Sequence, residues 1–224
     1  MAFFSWQWLS RLGEAQILLP LVLLAAAWLW RGAGQGRLAL RWLLSLAFVA
    51  ALTTLSKLAF MGWAWGVADW DFTGLSGHAM FAAACLPMLA WVALARCRRP
   101  LVRRAGVALA FALAAAIAYS RLPLRAHSPS ELLLGFALGA AASLVSLAGL
   151  PRQLPRLPHR LPAALAAALL ILPVSAPRSR THDWVMALSL QLSGREQPYT
   201  RESLLREPAA MPSSMQPLPA LLDQ

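Results

Sequence analysis

An all-α bundle of about six transmembrane helices is the fold class this sequence predicts, and three observations carry that prediction. Of 224 residues, 59% are hydrophobic and 13% charged, which leaves too little polar surface to cover a soluble domain of this size. Apolar stretches of spanning length recur along the chain, dominated by alanine and leucine and without the two-residue alternation of a membrane barrel. Arginines cluster between those stretches, so the formal net charge of +11 reads as a topology signal and not as affinity for nucleic acid.

The segment Met1 to Glu14 holds one arginine and several aromatics and lacks the basic start and cleavage site of a secretory signal, so no cleavage is expected. Phe3, Phe4, Trp6 and Trp8 are expected at the membrane–water interface. Five spans are expected at roughly 13 to 30, 38 to 60, 79 to 95, 104 to 119 and 132 to 150. A sixth, Leu161 to Ala176, is short and contains Pro162 and Pro173, which predicts a tilted, kinked or partly inserted helix. Gly135, Gly139, Ala140 and Ser143 in the fifth span would let another helix approach closely.

Lysine and arginine mark cytoplasmic loops. The loops after spans one, three and five hold Arg31, Arg37, Arg41, Arg96, Arg98, Arg99, Arg103, Arg104, Arg152, Arg156 and Arg160, whereas those after spans two and four hold Lys57, Arg121 and Arg125. The bias places the N-terminus and the second and fourth loops outside the cytoplasm. Residues 1–176 then form the membrane domain, and 177–224 a polar, proline-rich tail on the outer side. Within it Trp184 to Leu192 could form a short strand or helix, while the last dozen residues, with Pro212, Pro217 and Pro219, read as flexible. Cys85 and Cys97 are too few and too differently placed for a disulfide framework.

Both outer loops carry polar residues with chemical potential. Lys57 stands near the end of span two, Ser76-Gly77-His78 leads into span three, and Ser120-Arg121 through His127-Ser128-Pro129-Ser130-Glu131 leads into span five. Ser76 and Gly77 at a helix N-terminus would offer free N–H groups and the positive end of the macrodipole to an anion. Lys57 adds a compact charge and Arg121 a planar fork of donors, both suited to phosphate oxygens. Displacement at phosphorus needs a nucleophile and an acid for the leaving oxygen, roles that His78 and His127 can divide. Glu131, four residues after His127, can reach its ring N–H.

The string Ser120-Arg121, five residues, His127, three residues, Glu131 resembles the third signature of the type 2 phosphatidic acid phosphatase (PAP2) superfamily, and Ser76-Gly77-His78 the core of the second. Lys57 resembles the lysine of the first, and the likeness covers roughly residues 50 to 145. It implies a PAP2-like helical bundle of the bacterial inner membrane that acts on a lipid phosphate from the periplasmic face, with no cofactor and no metal. His127 would be the nucleophile that forms a phosphohistidine, Glu131 its orienting partner and His78 the leaving-group acid. Lys57, Ser76, Gly77, Ser120 and Arg121 would cradle the phosphate. Implied substrates are an undecaprenyl diphosphate, phosphatidic acid or a related glycerophospholipid phosphate, or a lipid A phosphate. Three departures stand out: no arginine follows Lys57 in LAFMGWAW, Leu75 replaces a proline, and Glu131 replaces an aspartate. Arg125 is a candidate to fill the place of the lost arginine. A member that binds lipid phosphate without turnover, or serves as a membrane partner, is the competing expectation, and a lipid phosphotransferase is a closer variant.

Each residue also has a plainer role. Lys57 would snorkel to the interface, Arg121 and Arg125 would meet head groups, and the histidines would be interfacial. Ser128, Pro129 and Glu131 would build a capping box, a job Glu131 could combine with orienting His127. Trp63, Trp65 and Trp70 are expected as interface anchors or as the walls of a lateral path for a lipid tail. His159 and His182 are expected as loop and tail residues without a role in the site.

Overall fold

The computed structural model describes residues 2–95, 97–148, 160–175, 177 and 179–206. Arg96, Arg152, Arg156, His159 and the last dozen residues lie outside the described residues. The described chain is helical throughout: α1 (Ala2–Arg11), α2 (Ala15–Ala27, continued by a π turn to Gly32), α3 (Gly36–Trp63), α4 (Gly77–Ala93), α5 (Pro100–Tyr119), α6 (Pro129–Leu147), α7 (Arg160–Ser175), α8 (Thr181–Ser193) and α9 (Arg201–Arg206). Among the described residues, four segments are long and apolar enough to cross a membrane: Ala15–Gly32, Gly36–Trp63, Pro100–Tyr119 and Pro129–Leu147. They match the expected first, second, fourth and fifth spans. The expected third and sixth correspond to α4 and α7, apolar helices of 17 and 16 residues.

Helix α4 is the axis of the bundle. Twelve of its residues are buried, spread over every face, as befits a helix covered by protein on all sides. Its alanines let neighbours come close, and α6 comes closest. Ser76 N donates to Glu131 O at 3.2 Å, and a Cβ on Gly139 would stand 2.2 Å from Met80 O. Ser143 Oγ donates to Ala83 O one turn further on. The contact positions rise together along both chains, so α4 and α6 run parallel. Helix α3 runs against them: Leu75 N donates to Ser56 Oγ near its end and Arg41 Nη2 to Ser146 O near its start. Helix α5 also opposes α4, since Gly106 near its start abuts Leu94 at the end of α4.

The ends are set by local chemistry. Helix α3 stops at Ala64 in the left-handed region (φ 57°), with the N–H groups of Ala64 and Trp65 closing on Phe60 O and Ala59 O. Ser76 caps α4 by accepting from Ala79 N, and Ser128 caps α6 in a full capping box with Pro129 in the first turn. One end of the bundle thus gathers the end of α3, the start of α4, the end of α5 and the start of α6. The opposite end carries Arg37, Arg41, Arg98, Arg99, Arg103 and Arg104.

Helix α8 and the segment leading into α9 pack back against α3 at the first of these ends. Ser189 Oγ donates to Leu58 O at 3.3 Å, and Tyr199 N to Met61 O at 2.9 Å. Gly62 makes room, for a Cβ there would lie 3.0 Å from Ser189 Oγ.

Candidate active site

A cleft of about 1510 Å³ opens at the end of the bundle where α4 and α6 begin, and Lys57, Gly77, His78, Arg121 and His127 all line it. The parallel course of α4 and α6 accounts for this. It brings two helix N-termini, each with a histidine beside it, to the same place, so two positive dipole ends face one cleft. Lys57 reaches across from the last turns of α3, its Nζ 4.0 Å from where a Cβ on Gly77 would stand. Gly74, at φ +135°, lets the preceding loop fold against Lys57; a Cβ there would lie 3.0 Å from Lys57 Cγ.

His127 Nδ1 and Glu131 Oε2 are 2.7 Å apart. A carboxylate only accepts, so Nδ1 carries the hydrogen and Nε2 keeps its lone pair. Oε2 also accepts from Ser128 N at 3.2 Å, so the capping box and the support of the imidazole are one arrangement. Glu131 is fully buried. Its Oε1 accepts from Thr73 N at 2.7 Å and Thr73 Oγ1 at 2.5 Å. Burial holds the His127 imidazole below its ordinary pKa, with the Lys57 and Arg121 charges pushing the same way against the Glu131 hydrogen bond. The ring is therefore neutral, with a free lone pair, at neutral pH.

The remaining candidates fall into three groups. Arg121 lines the cleft and donates from Nη1 to Ser10 Oγ at 2.6 Å. Ser76 and Ser120 are fully buried, and their hydroxyls serve helix ends: Ser76 as the cap of α4, Ser120 donating to Ile117 O at 2.6 Å. Arg125 is exposed at φ 52° and is absent from the described lining of the cleft.

Several site residues were not legible from sequence. Thr73 and Asp71 belong to the loop between α3 and α4, which an antiparallel bridge between Val67 and Phe72 folds back on itself. Arg201, from α9, donates to Glu131 Oε2 at 2.8 Å and to Asp71 Oδ2 at 2.6 Å. Ser10, Arg11 and Glu14 close the cleft from the N-terminal side, and His182 lines it from α8. Polar character close to Ser76-Gly77-His78 could have drawn attention to Asp71 and Thr73. Nothing local marks Arg201.

Comparison with known proteins gives the family. The PAP2 superfamily matches residues 39–154, just over half of the chain and the region that supplies Lys57, His78, Arg121, His127 and Glu131. The chain belongs to the PAP2 superfamily. It is also similar to a Klebsiella pneumoniae protein described as an uncharacterized 22.5 kDa protein in cps region, at 34% identity over 207 residues, covering 91% of this chain and 99% of that one. No solved structure matches the chain. Superfamily membership and the apolar helices make this a membrane protein of phosphatase type.

Proposed function

We propose that this chain is a lipid phosphate phosphatase of the bacterial inner membrane, hydrolysing a phosphomonoester or diphosphate at the periplasmic face through a phosphohistidine on His127. The observation that carries the reading is the meeting of His78 and His127 in one cleft, at the N-termini of two parallel helices and beside Lys57 and Arg121. Dipole ends and fixed cations suit a dianionic group better than any neutral one.

In the first step His127 Nε2 attacks phosphorus, the bond from phosphorus to the leaving oxygen breaks, and that oxygen takes a proton from His78. Glu131 stabilises the positive charge that grows on the attacking ring. In the second step water attacks the phosphohistidine, its proton passes to His78, the phosphorus–nitrogen bond breaks and inorganic phosphate leaves. Lys57, Arg121 and the Gly77 backbone hold the phosphoryl oxygens, while Ser76 and Ser120 keep the helix ends that present them.

The orientation rests on the inter-span loops, whose arginines at the far end of the bundle are set against Lys57, Arg121 and Arg125 at the site end, where Arg11 and Arg201 of the terminal segments also stand, paired with Glu14 and with Asp71 and Glu131. Trp63, Trp65 and Trp70, 48%, 74% and 64% exposed, flank the cleft end as interfacial side chains would, which keeps a head group at the water boundary while its tail stays in the bilayer. The test is phosphate release by purified protein from a panel holding undecaprenyl diphosphate, phosphatidic acid and a lipid A phosphate, with His127→Ala and His78→Ala as controls. Release that both substitutions remove is the expected result. The absence of an arginine in the residues after Lys57 favours one second reading, capture of lipid phosphate without turnover. Binding to the wild type with no release from any member of the panel would select it.

A further inference from the structure

Glu131 is a fully buried carboxylate at the head of a spanning helix, and such a charge needs a partner. Lys57 lies within electrostatic range of Glu131, and Arg121 has Glu14 as its charged neighbour, but both cations face the cleft, where the phosphate reading gives them to the substrate. A different cation makes the direct contact. Arg201 Nη2 donates to Glu131 Oε2 at 2.8 Å and to Thr73 Oγ1 at 3.3 Å, while Nη1 donates to the Asp71 carboxylate at 2.6 Å and its carbonyl at 3.3 Å. The oxygen it holds is the one that accepts from His127 Nδ1. Arg201 lies outside the region matched by the superfamily, on a segment that Tyr199 pins to Met61 O just before it.

We infer that Arg201 is a positioning residue for His127: it clamps Glu131, Thr73 and Asp71 into one frame and makes the C-terminal segment a working wall of the cleft. The inference rests on the phosphatase reading for its kinetic consequences, but the clamp itself can be tested without turnover. Of the charged groups around His127, Glu131 favours its protonated form, and Lys57 and Arg121 oppose it, with His78 the other titratable group beside it. Arg201 tempers the pull of Glu131, and Asp71 in turn partly neutralises Arg201. Removing the guanidinium leaves Glu131 to act on the imidazole less opposed.

The experiment compares full-length wild type with Arg201→Met and Arg201→Lys in detergent, by pH-dependent lipid phosphate hydrolysis and by histidine-selective NMR titration of His127. Arg201→Met is expected to lower kcat about 10-fold to 100-fold with a smaller change in KM. It is also expected to move both the acid limb of kcat/KM and the His127 titration upward by roughly half a unit to one unit. Arg201→Lys keeps the charge but not the fork, so it should return the titration towards wild type while recovering part of the rate. A His127 titration that stays put in a folded Arg201→Met protein would overturn the clamp, whatever happens to the rate. If the wild type releases no phosphate from any lipid, the phosphatase reading fails and the NMR titration still decides the role of Arg201.

Discussion

The α4–α6 pair and the two terminal segments build the same cleft by opposite means. Between α4 and α6 the contact is backbone against backbone, with Gly135 and Gly139 so close to Ser76 O and Met80 O that no larger residue fits without a shift. The termini also pack closely, Gly13 against His78 O and Tyr199 N on Met61 O, but they reach the charged groups of the cleft through side-chain tips: Ser10 on Arg121, and Arg201 on Asp71 and Glu131. Close packing fixes where the two histidines stand, whereas tip contacts adjust charge and hydrogen bonding around them. Substitutions in the first region should therefore move the chemistry itself, and those in the second should tune it.

The largest effect belongs to the parallel pair. His127→Ala removes the attacking nitrogen and should cut phosphate release by about 10⁴-fold or more, with the protein still folded by circular dichroism. Glu131→Gln keeps the shape but loses the charge that steadies the imidazolium, so a loss of roughly 10²–10⁴-fold is expected in kcat, read by steady-state kinetics. Gly139→Val forces α6 away from Met80; thermal unfolding in detergent should show a destabilisation of about 1–3 kcal/mol, together with loss of activity. Wild-type stability in that variant would mean that the two helices are not held at this distance.

Smaller effects sharpen the comparison from the other side. Because burial lowers the His127 pKa, the neutral nucleophile persists as pH falls through the ordinary histidine range. Activity should drop only as pH passes the lowered value, so the acid limb of kcat/KM should lie below 6.5. A limb above that value would contradict the burial seen here. Ser189→Ala, which deletes the hydrogen bond from α8 to Leu58 O, should cost about 1 kcal/mol in thermal stability and leave kcat within a few-fold of wild type.

This contrast also explains what could be read from the chain. His127 and Glu131 are one helical turn apart, Ser128 and Glu131 complete a capping box, and Ser76-Gly77-His78 is contiguous, so their chemistry shows in local spacing. The small residues Gly135, Gly139 and Ser143 announce a close helix contact, although not that α4 is the partner. Arg201 meets Glu131 across 70 positions through a polar segment with no periodicity, and no local pattern encodes such a meeting. The central place of α4 was illegible for the same reason: its faces are covered by neighbouring helices, and hydropathy along the chain does not report which helix is central.

The most direct test of the account is to trap the covalent intermediate. Protein mixed with a lipid phosphate labelled at phosphorus, quenched in alkali within the first turnover and mapped by peptide, should carry the label on the fragment containing His127, and His127→Ala protein should carry none. Label on another residue, or full hydrolytic activity with no labelled protein at any time, would contradict it.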